Sequence, residues 1–282
     1  MKFFNPKFNA PSILKVIQSK PDTPGKRHHK YIQKFLLCKQ SKLVKSLNYN
    51  VRQCMGRSSN TGHITMWNRG GGCKKLYRQL NSNSDKTLGI ILFSFYDPNR
   101  SSFISVFFDF LTYTFKHILS VNGAISGSLS MASPKFISFK LGFSGLLENH
   151  PSRSIFNSLV LNSKKGPQYA VAAGTFCQLL QSKLQLSKIR LPSNQIIEVS
   201  SLSYGTLGVV SNTQNNLVVL GKAGRKRMQG FRPHVRGVAM NPVDHPHGGR
   251  TKGGRDWVTP WGKPFRFGST SHSKRKKVYK LL

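Results

Sequence analysis

LGIILFSFYDPNRSSFISVFFDFLTYTFK (residues 88–116) consists of two apolar, β-branched and aromatic runs around a polar break, Asp97-Pro98-Asn99-Arg100. Pro98 presets φ for the second position of a turn, and Asp97 and Asn99 are strong turn formers. The runs are rich in Ile, Val and Phe, which suit a pleated, half-buried surface. The stretch therefore predicts a β-hairpin, with Phe93, Phe95, Phe103, Val106 and Phe108 as core. This hairpin sets the class of the fold as all-β.

Toward the C-terminus, residues 117–150 are rich in Ser, Gly and Phe and contain a single acid, Glu148. Their order is not readable from local pattern. From residue 151 alternating apolar runs return, and strands are predicted at Phe176–Leu180, Lys188–Leu191, Ile196–Val199 and Leu217–Leu220. Turn clusters at Pro192-Ser193-Asn194 and at 212–216 separate them. Short strands at this spacing suggest a small antiparallel barrel.

Toward the N-terminus, His63–Trp67 reads as a short strand. Gly70-Gly71-Gly72 follows it and lets backbone approach a partner closely. Arg69, Lys74, Lys75 and Arg78 supply positive charge beside Tyr77. Glycine for approach, cations for phosphate and an aromatic ring for stacking form an RNA-contact set; a solvated hairpin would use the same residues. Residues 1–55 carry one acid, Asp22, among many Lys and Asn. Partial helical periodicity over 31–47 predicts a short basic helix. A mitochondrial import segment is one reading of this region, but such segments favour arginine, and Arg27 and Arg52 are the only arginines here. A basic extension lying on RNA is the preferred reading.

The charge is concentrated in residues 221–282. Sixteen Lys and Arg face two acids there, with ten glycines, five prolines and no apolar run of core length. Such a stretch repels itself and cannot build regular ladders. It becomes ordered on a dense polyanion, and folded RNA is the commonest one. The whole chain of 282 residues has a formal net charge of +36, from 44 Lys+Arg against 8 Asp+Glu. A membrane surface is the rival polyanion. Against it, no stretch of about twenty apolar residues exists, and the cations are interleaved with Gly and Pro rather than set on one helix face. The four cysteines, Cys38, Cys54, Cys73 and Cys177, have no CxxC spacing, so neither a zinc site nor a disulfide framework follows.

His245 and His247 invite two sharper readings. A His-x-His metal pair lacks a third ligand nearby. A general base would be His245 oriented by Asp244, yet adjacent side chains in extended backbone point opposite ways. Proline and glycine at 242, 246, 248 and 249 instead read as a fixed path through a crowded RNA site. The expected RNA contacts of this stretch are Lys222, Arg225, Lys226, Arg227, Arg232, Arg236, Asn241, Asp244, His245, His247, Arg250, Lys252, Arg255, Trp261 and Lys263. Arginines fork onto phosphates or stack on bases, and lysines act as point charges. Trp257, Phe231 and Phe265 are further stacking candidates. Lys274–Lys277 read equally well as a solvated tail.

Arg236-Gly237-Val238-Ala239-Met240-Asn241-Pro242-Val243-Asp244-His245-Pro246-His247-Gly248-Gly249-Arg250 resembles the signature of the universal ribosomal protein L-two family, bacterial type. Gly221–Gly224 before it and Thr259-Pro260-Trp261-Gly262-Lys263-Pro264 after it also fit. So do the glycine triplet followed by basic residues and Tyr77-Arg78, the turn Tyr96–Arg100, and Ala172–Thr175, Arg190–Ser193 and Gly205–Gly208. Cys73 departs from the family, which has His there. The resemblance implies an OB-like barrel at 56–145 and an SH3-like barrel at 146–220, flanked by a basic extension at 1–55 and an extended rRNA-binding tail at 221–282. A strand and a crossing loop are expected between the barrels. The implied role is a non-enzymatic constituent of the large ribosomal subunit, near the peptidyl-transferase centre, with His245 in a supporting role at most. The implied partners are large-subunit rRNA, other large-subunit proteins and an intersubunit bridge contact; the only ion is Mg2+ associated with the rRNA, with no cofactor of the chain's own.

The segment Arg250–Arg255 before Thr259–Pro264, without the Gly-Glu-Gly usual after the two histidines, resembles the mitochondrial branch. Abundant Phe, Asn, Ser, Lys and Ile suit an AT-rich organellar genome, so a mitochondrial location is expected, with plastid as second choice. Two other classes compete: a general nucleic-acid-compacting protein, which would favour repetitive tails, and a His-dependent phosphodiesterase, which would need clustered acids.

Overall fold

The computed structural model describes residues 15–34, 37–38, 42–50, 55–81, 86–134, 140–161, 166–182, 185–249, 258–263 and 280–281. It is all-β, as the hairpin implies, with a single short α-helix among the described residues. Contacts divide the chain into two compact units. One spans 1–52, 74–222 and 278–282; the other spans 53–73 and 223–277. Residues 53–73, which the sequence groups largely with the first barrel, thus cluster with the basic tail.

In the first unit, β1 (Val16–Gln18) and β2 (Lys30–Ile32) form an antiparallel pair. Ile32 is buried against Phe103, with Val16, Leu37 and Val218 around them. The helix expected over 31–47 is therefore absent at its start, where strand β2 stands, and is replaced at 42–47 by a 3-10 helix. Of the residues that carry the helical periodicity, Tyr31 lies exposed on β2, and Phe35 and Leu36 lie outside the described residues.

β3 (Asn48–Asn50) pairs with β4 (Leu76–Arg78). The first barrel is built from β5 (Thr87–Phe95), β6 (Ile104–Asp109), β7 (Thr114–Leu119) and β8 (Leu129–Ala132). β5 and β6 are the predicted hairpin, antiparallel with Gly89 opposite Asp109 and Phe95 opposite Ile104. Phe95, Phe103 and Val106 are buried as expected, joined by Phe107, whereas Phe93 and Phe108 are half-buried.

β8 passes to β9 (Ser144–Leu146) through one parallel pairing, Ala132 with Ser144. The sheet then continues into the second barrel through β14 (Tyr204–Leu207), β10 (Ile155–Val160), β11 (Cys177–Ser182), β12 (Leu186–Arg190) and β13 (Ile196–Ser200). β15 (Lys280–Leu281) adds in parallel to the edge of β13. Leu147, Phe156, Leu159, Cys177, Leu179, Ile189, Ile197 and Val199 fill this second core. Burial pushes the Cys177 thiol up to about 12, so it packs as a small apolar group.

Leu217–Leu220 is not a strand. A 3-10 helix occupies Thr213–Leu217, started by Asn212 at φ 65°, and only Val219 makes a bridge, to Lys30. The run of polar residues at 212–216 tolerates left-handed backbone and turns the chain before a ladder can form. The two barrels of this unit are tied by Phe103 N–H donating to Ser211 Oγ at 3.1 Å and Ala173 N–H donating to Ser101 Oγ at 3.1 Å.

Candidate nucleic-acid interface

The second unit is organised around a helix end. Helix α1 (Ala223–Met228, AGRKRM) carries Arg225, Lys226 and Arg227 in its last turn, where cations suit the helix dipole. Gly230 terminates it at φ 95°. Gly230 N–H donates to Arg227 O at 2.9 Å and Phe231 N–H to Lys226 O at 3.3 Å, a Schellman cap that needs a left-handed residue. The glycine triplet runs antiparallel to this cap. Gly70 N–H donates to Gly230 O at 3.1 Å and Cys73 N–H to Met228 O at 3.0 Å. All three glycines have positive φ. A Cβ on Gly72 would stand 2.8 Å from Gly230 N and from Met228 O, so the close approach at Gly72 is to the chain's own backbone. Gly71 has open space where its Cβ would be.

Side chains lock the same junction. The Arg69 guanidinium lies 3.9 Å from the centre of the Phe231 ring, and Lys226 Nζ is 5.6 Å from it. Asn68 and His234 meet at 2.6 Å across 166 residues. Trp67 and Trp261 rings approach to 5.9 Å. The strand expected at His63–Trp67 reduces to one bridge, Ile64 with Arg57; turns at 65–68 follow, because Gly56 O captures both Thr65 N–H and Met66 N–H.

The loop 236–249 winds around His245. The ring of His245 packs on Gly237, where any Cβ would come within 2.6 Å of it. Its Nδ1 accepts the His247 backbone N–H at 3.0 Å, so the neutral ring carries its proton on Nε2. His247 Nε2 in turn accepts the Val258 N–H at 3.3 Å. Asn241 O accepts from Asp244 N–H and His245 N–H, and Met240 O from Gly249 N–H. Gly248 abuts Asn241 O and Gly249 abuts the Pro242 ring, so neither position has room for a side chain. Asp244 is exposed while His245 is buried, and Asp244 makes no ion pair among the described residues. The arrangement is a rigid loop closed by backbone bonds, not an acid–base pair.

Electrostatics set this unit apart. Lys226, Arg227, Arg232, Arg236 and Lys263 are exposed, and Arg69 and Arg225 half-buried. Among the described residues, no hydrophobic side chain of this unit is buried; every core residue lies in the other unit. Trp67, Met228, Val235, Val243 and Trp261 are all more than half exposed.

Other expected contacts lie in the first unit. Lys74 and Lys222 are exposed and Lys75 half-buried. Tyr77 is 43% exposed and stands opposite the 48%-exposed Tyr49, a partner that local sequence did not single out. Arg78 differs from the other expected contacts in its setting. It is buried, and its Nη1 donates to Asp97 at 3.0 Å, so its guanidinium faces a carboxylate inside the protein. Arg250, Lys252 and Arg255 lie outside the described residues, as do Trp257, Phe265 and Lys274–Lys277. Among the described residues, no three His, Cys, Asp or Glu side chains converge as a metal site, and no helix is long and apolar enough to cross a membrane.

Two family profiles match the chain. Residues 44–132 match Ribosomal Proteins L2, RNA binding N-terminal domain, and residues 140–262 match Ribosomal Proteins L2, C-terminal domain. The boundary between them falls within the β8–β9 connection. A large ribosomal subunit protein uL2 of Dinoroseobacter shibae is 42% identical over 271 residues, covering 93% of this chain and 94% of that protein. One of Ruegeria pomeroyi is 39% identical over 268 residues, with 93% and 94% coverage. Identity at this level over nearly the full length of both partners, with both halves of the chain matched in order, places this chain in the ribosomal protein L2 family, built as an OB-like barrel followed by an SH3-like barrel.

Proposed function

We infer that this chain is a structural, non-enzymatic constituent of the large ribosomal subunit, bound to its rRNA and to neighbouring subunit proteins. One observation carries the reading beyond family membership. The unit formed by 53–73 and 223–277 has no buried hydrophobic side chain among its described residues, yet it presents a field of exposed Arg and Lys. A basic unit whose described residues bury no hydrophobic side chain suits a polyanionic partner, and cations interleaved with exposed tryptophans suit folded RNA. The RNA-facing set is Arg69, Gly70, Gly71, Lys74, Lys75, Tyr77, Lys222, Arg225, Lys226, Arg227, Arg232, Arg236, Asn241, Lys263 and Trp261, with Arg250, Lys252 and Arg255 continuing it. Gly72, His245 and His247 serve by fixing the loops. Asp244, an exposed acid, meets RNA through its backbone or a bridging cation.

We further propose that the loop 236–249 sits near the peptidyl-transferase centre, that the chain adds to an intersubunit bridge, and that it works in a mitochondrial ribosome. The first two rest on the family likeness of that loop. The third rests on the basic segment 250–255 and on a Phe- and Lys-rich composition with 19 Phe.

The test is a sucrose gradient of organelle lysate in about 0.5 M salt, where loosely held cations dissociate. The chain is expected to stay with the large subunit and to resist protease until the mitochondrial membranes are opened. Release to the top of the gradient would make it a surface polycation.

A further inference from the structure

The outer face of the first barrel carries an apolar strip that the rRNA-binding role does not use. Strand register places Leu129, Ile90, Phe108 and Phe115 side by side across β8, β5, β6 and β7. The next row holds Met131 opposite Leu88, with Phe110 N–H donating to Leu88 O at 2.8 Å. Phe108 packs against both Phe110 and Phe115, at 5.8 and 5.3 Å between ring centres. In the other direction the same strands are already covered: Val106 is fully buried, and Leu47 and Leu80 pack on that cluster. Among the described residues, aliphatic side chains thus cover one half of the face, and side chains of the other half stay exposed. Leu88, Phe110 and Leu129 are 39%, 37% and 50% exposed.

Charge decides what covers the open half. Across the four strands and their connections, residues 87–132 contain two Lys or Arg in a chain that has 44, Arg100, whose Nε donates to Asp97 at 2.7 Å, and Lys116, while the exposed Lys86 stands at the margin just before β5. Lys116 Nζ is committed to the buried Asp109 carboxylate at 2.7 Å. A face whose strands hold no available cation, with one lysine at its margin, offers little to phosphate. It has instead the aromatic and aliphatic composition of a protein interface core.

We propose that this strip is a docking surface for an apolar segment of a neighbouring large-subunit protein, not for rRNA. The occupant is an extended or helical segment that presents aliphatic side chains, as Leu47 and Leu80 do on the covered half. The proposal rests on the ribosomal reading, and its test separates the two. Large subunits are assembled with a benzoylphenylalanine photocrosslinker replacing Leu129, purified on a gradient and irradiated. The expected result is an adduct with a stoichiometric subunit protein that survives ribonuclease and maps to an apolar segment. The adduct should be lost when Leu88→Lys is added, while the subunit still contains the chain. A ribonuclease-sensitive adduct, or none, in subunits that do contain the chain overturns the docking surface alone. A tighter hold on the subunit in Leu88→Lys would also overturn it, because added charge should help only an RNA occupant. Failure of the chain to enter the subunit at all would instead strike the ribosomal reading.

Discussion

Asp97 and Arg78 form a buried ion pair at 3.0 Å, with the carboxylate wholly inaccessible to solvent. The second carboxylate oxygen accepts from Arg100 Nε at 2.7 Å, and Asn99 Nδ2 donates to Leu76 O at 2.6 Å. The Asp-Pro-Asn-Arg turn therefore does more than reverse the hairpin. It clamps strand β4, and with it the lysines at 74 and 75, onto the first barrel. Removing one partner of a buried pair leaves the other uncompensated, which costs about 3–5 kcal/mol. Asp97→Asn is expected to lose stability on that scale in urea unfolding. Arg100→Ala, which removes a partly exposed charged hydrogen bond, should lose about 1.5–3 kcal/mol. Equal losses would mean that Arg78 does not depend on Asp97.

Gly237, like Gly248 and Gly249, has no room for a side chain in the 236–249 loop, since a Cβ there meets the His245 ring at 2.6 Å. Gly237→Ala is expected to displace that ring, free the His247 N–H and loosen the loop. The other unit, which holds every buried hydrophobic residue among those described, should be unaffected. The measurement is retention of the variant on the large subunit at rising salt, alongside its unfolding midpoint. Retention should fall with the midpoint unchanged. A loss of midpoint would show that the loop supports the barrels.

Two buried histidines give the fold an acid sensitivity. Burial, then the nearby Arg78 guanidinium, holds His117 below its usual value against the opposing Gln79 bond and Asp97. Burial likewise lowers His150. Both are therefore neutral in the folded state, and protons bind more readily to the unfolded chain. Stability is full above the unfolded histidine pKa of about 6.5 and declines as pH falls below it, by up to about 1.4 kcal/mol per pH unit for each group. Asp109 acts lower down. Burial raises it, but bonds from Lys116, the Leu111 N–H, Thr112 and the Leu88 N–H outweigh burial and leave it depressed. Its contribution is present above the unfolded aspartate value of about 3.9 and is lost as pH falls further. Melting temperatures between pH 7.5 and 5 should fall, and His117→Phe should flatten that slope. A curve flat to pH 5 in the parent chain would show that neither histidine is held neutral.

The parts legible in sequence are those governed by neighbours along the chain. The Asp97–Arg100 turn, β11, β12 and β13 appear within two residues of their predicted places, because turn chemistry and period-two alternation are local signals. Arg78 was not legible as a buried residue, since its partner lies 19 residues away. Nor was the Asn68–His234 contact, which joins residues 166 apart in the chain. The glycine triplet marks a place of close approach, but the backbone that approaches Gly72 belongs to the chain itself. In the tail, composition alone announced a polyanion partner, while the wrapping of 236–249 around His245 depends on backbone bonds that no pattern of residue types reveals.

Arg78 and Arg227 provide the sharpest test of which cations face RNA. Both are arginines of the expected contact set, but Arg78 is buried against Asp97 and Arg227 is exposed on α1. Each phosphate contact contributes about 0.7–0.9 to the slope of log affinity against log salt. Arg227→Ala is expected to flatten that slope by this amount for a large-subunit rRNA fragment, with the unfolding midpoint unchanged. Arg78→Ala should leave the slope as it was and lower the midpoint, because it strands the Asp97 carboxylate. A salt titration of binding for the two variants, paired with urea unfolding of each, separates the roles. If the Arg78 variant flattened the slope and the Arg227 variant did not, the burial of Arg78 in the ion pair would not describe the RNA-bound chain.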